Sequence, residues 1–238
     1  MTNKSIYKRV LLKLSGEALA GDKKTGHDFT VISKVCEVIK TSVQMGVEIG
    51  IVVGGGNMWR GAQYAGTKID RTRSDHIGMM ATVINSLVLA DSLAQIGVKA
   101  VVQTALDIQA VAEPFNKFKA DEHFKSGTVV IFACGTGSPY FSTDTAAVLR
   151  AAEINAETIL LAKNIDGVYT ADPKLDPDAV KLDHITYDEI LAAKLNVMDL
   201  TATSLAMNNN IPILVFALHD PKNIIRVLSG EHIGTQVR

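Results

Sequence analysis

The chain is predicted to be an α/β protein built on a mainly parallel sheet. Short β-branched runs alternate along it with longer helical patterns. Most of the runs are almost continuously apolar, as strands covered on both faces must be. Several end in glycine-rich or lysine-bearing turns, and ligands of open α/β sheets bind beyond such carboxyl ends.

The predicted strands are Val10–Leu14, Val47–Val53, Val98–Val102, Thr128–Cys134, Thr158–Leu161 and Ile211–Phe216. The predicted helices are Phe29–Met45, Asp75–Ile96, Thr143–Ile154, Tyr187–Leu195, Asp199–Asn208 and Pro221–Leu228. Ser74-Asp75, Thr143-Asp144 and Asp220-Pro221 read as helix starts, the last with proline at the first helical position. Gly46 and Gly97 read as C-terminal caps. Val111–Lys125, interrupted by Pro114, reads as a surface turn and short helix. No repeat or linker divides the chain. It reads as one domain over 1–238 with two lobes, about 1–155 and about 156–238.

Composition narrows the function. Of the 238 residues, 24 are basic and 25 acidic, so the formal charge of −1 gives no global pull on nucleic acid or anionic membrane. Any phosphate site must be local. Cys36 and Cys134, both in apolar surroundings, read as reduced core thiols rather than a disulfide framework or metal ligands. Met1–Arg9 is polar, and no long apolar stretch free of charged or strongly polar residues appears. The expected location is the cytoplasm.

Five segments carry chemistry. Gly54-Gly55-Gly56 follows an apolar run and lets backbone N–H groups approach a bulky anion. Arg60, four residues past Gly56, offers a planar cationic fork. Lys13 lies in the apolar run Val10–Leu14 and is either a strand-end residue reaching solvent or a buried cation awaiting an anion. Ser15-Gly16 then let the chain turn closely around a ligand. Cys134–Asp144 combines Gly135 and Gly137, the flat faces of Tyr140 and Phe141, and an anion-binding helix start at Thr143. Asp144 either complements the helix dipole or orients a lysine or phosphoryl acceptor. Asp75, after a basic, threonine-rich loop, either caps a helix or accepts sugar hydroxyls. In Asp166–Pro173, Tyr169 and Asp172 suit an adenine wall and a ribose or purine contact, or else form an ordinary turn. Neither a P-loop nor a dinucleotide fingerprint is present, and the protein-kinase motifs are missing.

Together Lys13–Glu17, Gly54–Asn57, Asp75–Met79, Thr136–Asp144 and Asp166–Pro173 resemble the amino acid kinase superfamily, and within it the bacterial uridylate kinases. The resemblance spans essentially the whole chain, with the motifs in family order. It implies a three-layer α/β/α sandwich that transfers the γ-phosphoryl of ATP to UMP, giving UDP in pyrimidine nucleotide biosynthesis. It also implies magnesium with the ATP, no protein metal ligands, a homohexamer, GTP activation and UTP inhibition. Carried over by position, Lys13 would bridge the donor phosphates and the group in flight, with Leu14, Ser15 and Gly16 shaping the ATP turn. Gly55 would meet the UMP phosphate, Gly56 the ATP phosphates, and Arg60 both. Asp75 would hold the UMP ribose. Thr136, Gly137, Ser138, Pro139, Tyr140, Phe141, Ser142 and Thr143 would wrap uracil and phosphate, with Asp144 beside the reacting groups. Lys163 or Asn164, with Tyr169 and Asp172, would line the adenosine pocket.

Two departures stand out. Ser138 replaces the family's common asparagine. Gly21-Asp22-Lys23-Lys24-Thr25-Gly26 matches the family's GTP-response loop in its glycines, but Lys23-Lys24 and the following His27 replace a more apolar version. Two other readings compete: a non-catalytic nucleotide-binding regulator on the same fold, and a sister kinase acting on a carboxylate or carbamate.

Overall fold

A computed structural model describes residues 4–61, 69–173, 175–195 and 197–238. In chain order the elements begin with β1 (Arg9–Leu14), α1 (Gly16–Ala20), a 3-10 turn at Gly21–Lys23, α2 (Phe29–Gln44), β2 (Glu48–Val53) and α3 (Arg71–Gln95). Next come β3 (Ala100–Thr104), β4 (Glu113–Pro114), α4 (Lys117–Lys125), β5 (Val129–Ala133), α5 (Thr143–Glu153) and β6 (Thr158–Lys163). Then follow β7 (Val168–Tyr169), β8 (Lys181–Leu182), β9 (His184–Ile185), α6 (Tyr187–Ala192) and α7 (Leu200–Asn208). The last are β10 (Ile213–Ala217), α8 (Asn223–Leu228) and β11 (Thr235–Val237).

Nine strands form one sheet in the order β4-β3-β5-β2-β1-β6-β10-β11-β9, and β7 pairs with β8 in a separate ribbon. The pairing is parallel from β4 to β10, and β11 turns antiparallel against β10. Alternation of side chains sends Val10, Leu12 and Leu14 into one core, against residues of α2, α3 and α8. Leu11 faces the other core with residues of α4, α5, α6 and α7. The result is the three-layer α/β/α sandwich. Lys13 shares the parity of Leu11, so it points toward the α5 layer.

All six predicted strands and six predicted helices are present, with shifted ends. Helix α3 starts at Arg71 rather than at Ser74-Asp75, because Asp70 caps it by accepting from Arg73 N at 3.1 Å. Helix α5 is capped by Ser142, not by Thr143-Asp144. Pro221 lies ahead of α8, which opens at Asn223. Asp220 spends its side chain on a turn, accepting from Lys222 N at 3.0 Å. Gly46 and Gly97 do follow their helices with φ of 85° and 82°. By length and hydropathy α3 resembles a membrane span. It nevertheless packs on β3, β5 and α2, and it buries Asn85 and Ser86 inside the protein. Cys36 and Cys134 are buried and unbridged; burial pushes the Cys36 thiol up to about 12.

Candidate active site

Three strand ends meet at the centre of the sheet: β1, β2 and β6. Lys13, near the end of β1, is 9% exposed and ion-paired with Asp144 in the first turn of α5. The buried-cation reading of Lys13 therefore applies. The pair is made through Asp144 Oδ1, which is buried and takes no other partner among the described residues. The cap explains why this carboxylate is available. Ser142 Oγ accepts from Asp144 N at 2.9 Å and Thr145 N at 3.1 Å, satisfying the orphan donors of the helix start. Ser142 itself donates to Asp199, which also accepts from Thr145 Oγ1 and caps α7.

Lys163, ending β6, donates to the Val197 carbonyl. Burial pushes its ammonium below the ordinary 10.5, Asp144 opposes this, and Lys13 adds to it. Two cations and one carboxylate thus share a partly desolvated site, an arrangement with excess positive charge for an anion.

The triple glycine crosses this centre. Its backbone is not left-handed; room is what glycine provides. A Cβ on Gly16 would lie 2.4 Å from Gly54 O, and one on Gly55 would lie 2.9 Å from both Ala81 Cβ and Gly78 O. The loop is wedged between α1 and α3. Beside Gly56, Glu17 forms a 2.5 Å ion pair with Arg60, both about half exposed. Sequence reasoning quoted Glu17 within a motif but gave it no role.

A cleft of about 830 Å³ opens on one side of the Lys13–Asp144 pair. It brings together Lys13, Ser15, Asp144, Lys163, Asn164, Tyr169 and Asp172, all candidates from sequence. It is also walled by Ala193–Leu195 and Val197, which the sequence did not flag. Tyr169 donates its hydroxyl to Asp166 at 2.8 Å, and Asp166 also pairs with Lys181. Leu14 and Gly16 lie behind the cleft, in the packed turn.

A smaller recess of about 170 Å³ lies on the other side. Gly55, Asp75, Thr136, Phe141, Ser142 and Thr143 contribute to it, joined by Trp59 and Ser74. Asp75 is not a cap. From the second turn of α3 it takes both oxygens to Arg71 Nε at 3.0 Å, and Oδ2 also accepts from Tyr140 N at 2.8 Å. Tyr140 sits outside the recess at φ 72° with its ring under the Arg71 guanidinium, 5.0 Å from centroid to carbon. Gly137, Ser138 and Pro139 form the neighbouring turn, where Thr136 Oγ1 accepts from Ser138 N at 3.2 Å. Thr143 lines the recess while its neighbour Asp144 lines the large cleft, so the two spaces adjoin at one helix start.

Comparison with known proteins matches this architecture. The model of the "Amino acid kinase family" aligns with residues 8–217. The chain belongs to that family. A curated uridylate kinase of Pediococcus pentosaceus is 56% identical over 233 residues, 98% of this chain and 97% of that protein. The crystal structure of a UMP kinase from Bacillus anthracis superposes with a TM-score of 0.94 at 38% identity, covering 98% of this chain and 96% of the other. A UMP kinase from Ureaplasma parvum gives 0.91 at 37% identity, with coverages of 97% and 98%. Within this amino acid kinase, the loop at Gly21–Gly26 lies against the residue that follows the triple glycine, with Gly26 N donating to Asn57 O at 3.1 Å.

Proposed function

We propose that the protein is a UMP kinase, transferring the γ-phosphoryl of ATP to UMP to give UDP and ADP. The observation that carries the reading is the Lys13–Asp144 pair between two adjoining clefts, in a chain 56% identical to a uridylate kinase. The large cleft takes ATP, with Lys163 beside Lys13 and Asp144 at the phosphates, and Asn164, Tyr169 and Asp172 around the nucleoside. The small recess takes UMP, with Asp75 at the ribose and Gly55 and Thr143 at the phosphate. The family resemblance supports an acceptor lobe over roughly 1–155 and an ATP lobe over roughly 156–238, with Lys13, Ser15 and Asp144 of the first reaching into the ATP cleft.

Transfer is in line. A UMP phosphate oxygen attacks the γ-phosphorus, that P–O bond forms, and the bond to the ADP oxygen breaks. The protein aligns the two nucleotides and spreads positive charge over the group in flight. Lys13 supplies that charge from a rigid strand, and Asp144 orients its ammonium. Gly56 offers its backbone to the ATP phosphates, and Arg60 exchanges Glu17 for phosphate oxygens. Among the described residues no three His, Cys, Asp or Glu side chains converge on one point. Asp144, buried at the head of the large cleft and paired with Lys13 through Oδ1, would face a magnesium ion carried in on ATP, which would neutralise phosphate charge. The protein acts as a cytoplasmic homohexamer, activated by GTP through Gly21–Gly26 and inhibited by UTP. These last assignments rest on the family resemblance of the motifs, and rates with and without GTP at low UMP test the activation.

A coupled assay over UMP, CMP, acetylglutamate and carbamate tests the central reading. UMP should be the acceptor preferred by at least about two orders of magnitude, because a site built for hydrogen-bonded recognition rejects unlike acceptors strongly. Lys13→Met should keep the fold and lose most turnover. Turnover of a carboxylate or carbamate instead would assign a sister kinase, and no turnover of any acceptor would favour a regulator.

A further inference from the structure

One polar cluster in the core is unused by the mechanism so far. Asn85 is completely buried in the middle of α3, and Asn57, just past the triple glycine, is 1% exposed. Their amides pair head to tail, with Asn85 Nδ2 donating to Asn57 Oδ1 at 2.7 Å and Asn57 Nδ2 to Asn85 Oδ1 at 3.1 Å. Asn85 Nδ2 also donates to Gly54 O at 2.7 Å, and Asn57 Nδ2 to Gly26 O at 2.7 Å. A carbonyl can only accept, so the Asn85 NH₂ must face Gly54 and its oxygen must face the other way. There His27 Nε2 lies 2.7 Å from Asn85 Oδ1. That nitrogen therefore carries a proton, and His27 is the donor.

Each bond bears on a position the transfer needs. Gly54 O faces the turn at Gly16, where a Cβ would have 2.4 Å of clearance to it and 2.6 Å to Asn57 Oδ1. Gly55 and Gly56 continue directly from the held carbonyl. A buried amide pair with all its partners supplied fixes one arrangement, whereas a missing donor leaves a lone pair facing apolar surroundings. His27 is half-buried and can be changed without opening the core.

We propose that Asn85 is the positioning residue of the phosphate junction and that His27 is the donor holding its amide in register. The proposal rests on the phosphoryl-transfer reading, since it concerns how sharply Gly54–Gly56 are held for that step. It also gives a use to His27, one of the residues, with Lys23 and Lys24, that depart from the more apolar version of the loop before α2.

The experiment measures kcat, both KM values and Tm for the wild type, His27→Leu, His27→Gln and Asn85→Leu. Losing one hydrogen bond to the amide should lower kcat of His27→Leu on the order of five-fold, with both KM values within about two-fold. His27→Gln, whose amide can replace the Nε2–H donor, should return kcat to within about two-fold of wild type. Asn85→Leu removes the bonds to Gly54 and Asn57 together and should cost about a hundred-fold in kcat, as a misplacement of about 1 Å of reacting groups can. Wild-type kcat in His27→Leu, or equal losses in His27→Leu and His27→Gln, would overturn the proposal. A lowered Tm with unchanged kcat in Asn85→Leu would reduce the cluster to scaffold. Should Asn85→Leu fail to fold, the His27 pair decides alone. A wild type inactive on UMP would instead refute the acceptor assignment, and the same variants would then be compared on whichever acceptor it phosphorylates.

Discussion

A lysine in an apolar strand is ambiguous on its own, and the resolution comes from a partner distant in sequence. Lys13 reads from sequence as either solvated or buried, and only the fold shows Asp144 opposite it. Lys163 illustrates the same limit, because its depressed ammonium arises from burial and from charges contributed by β1 and α5. This depression has a testable sign. As pH rises toward 10.5, free Lys163 loses its proton earlier than an ordinary lysine, whereas bound phosphate favours the charged form. ATP binding in that alkaline window should therefore take up a proton, and ATP affinity should fall as pH climbs through the lowered pKa. Calorimetry in buffers of different ionisation enthalpy would measure the uptake. Lys163→Met should abolish it and raise KM for ATP about ten-fold, the cost of one charged contact. Proton uptake unchanged in that variant would assign the titration to another group.

At the level of elements, the pattern of apolar runs was enough to place every central strand, because burial on both faces leaves little freedom in composition. Helix starts were less legible. Arg71-Thr72-Arg73 carries no apolar period, so the first turn of α3 read as loop, and its cap Asp70 went unseen. At α5 three consecutive candidates, Ser142, Thr143 and Asp144, all suit a cap. What selects Ser142 is Asp199, more than fifty residues later, which accepts from both Ser142 and Thr145. The short strands β4, β7, β8, β9 and β11 are too brief to show a period of two. The choice of Ser142 matters for function because it leaves Thr143 and Asp144 to line the two clefts. Ser142→Ala should cost about 1 kcal/mol, the usual worth of an N-cap. For a chain of this size that is a fall of about 2–4 °C in Tm. Turnover should drop more than stability predicts, because Asp144 loses its fixed starting point. Thermal denaturation alongside kcat checks both, and a loss of Tm with full kcat would show that Asp144 is held by its lysine alone.

Across the whole molecule, chain order explains where the clefts fall. The chain builds β1 and then adds β2, β3, β4 and β5 on one side, before crossing to β6 and β10 on the other. Connections leaving adjacent strands in opposite directions open a crevice at their carboxyl ends, the place where open α/β sheets bind ligands. Lys13 on β1 and Lys163 on β6 sit on either side of that crevice. The resemblance of motifs assigned residues to both nucleotides from sequence, but the separation into two spaces meeting at Thr143–Asp144 needed the assembled sheet. A consequence follows for a single ligand carrying adenosine and uridine at the two ends of one polyphosphate chain. Filling both clefts with one molecule incurs the translational and rotational cost of association once instead of twice. It should bind at least about a hundred-fold tighter than ATP, and at saturation it stabilises the fold accordingly. At a concentration of about 100 times its Kd the gain is about 2.7 kcal/mol. Removing the uridine end should return affinity to that of the adenosine polyphosphate alone, and Asp75→Asn should weaken the two-ended ligand while leaving ATP binding unchanged. Isothermal titration of the three ligands measures this. Equal affinities with and without the uridine would mean that the small recess does not accept the acceptor nucleoside while ATP occupies the large cleft.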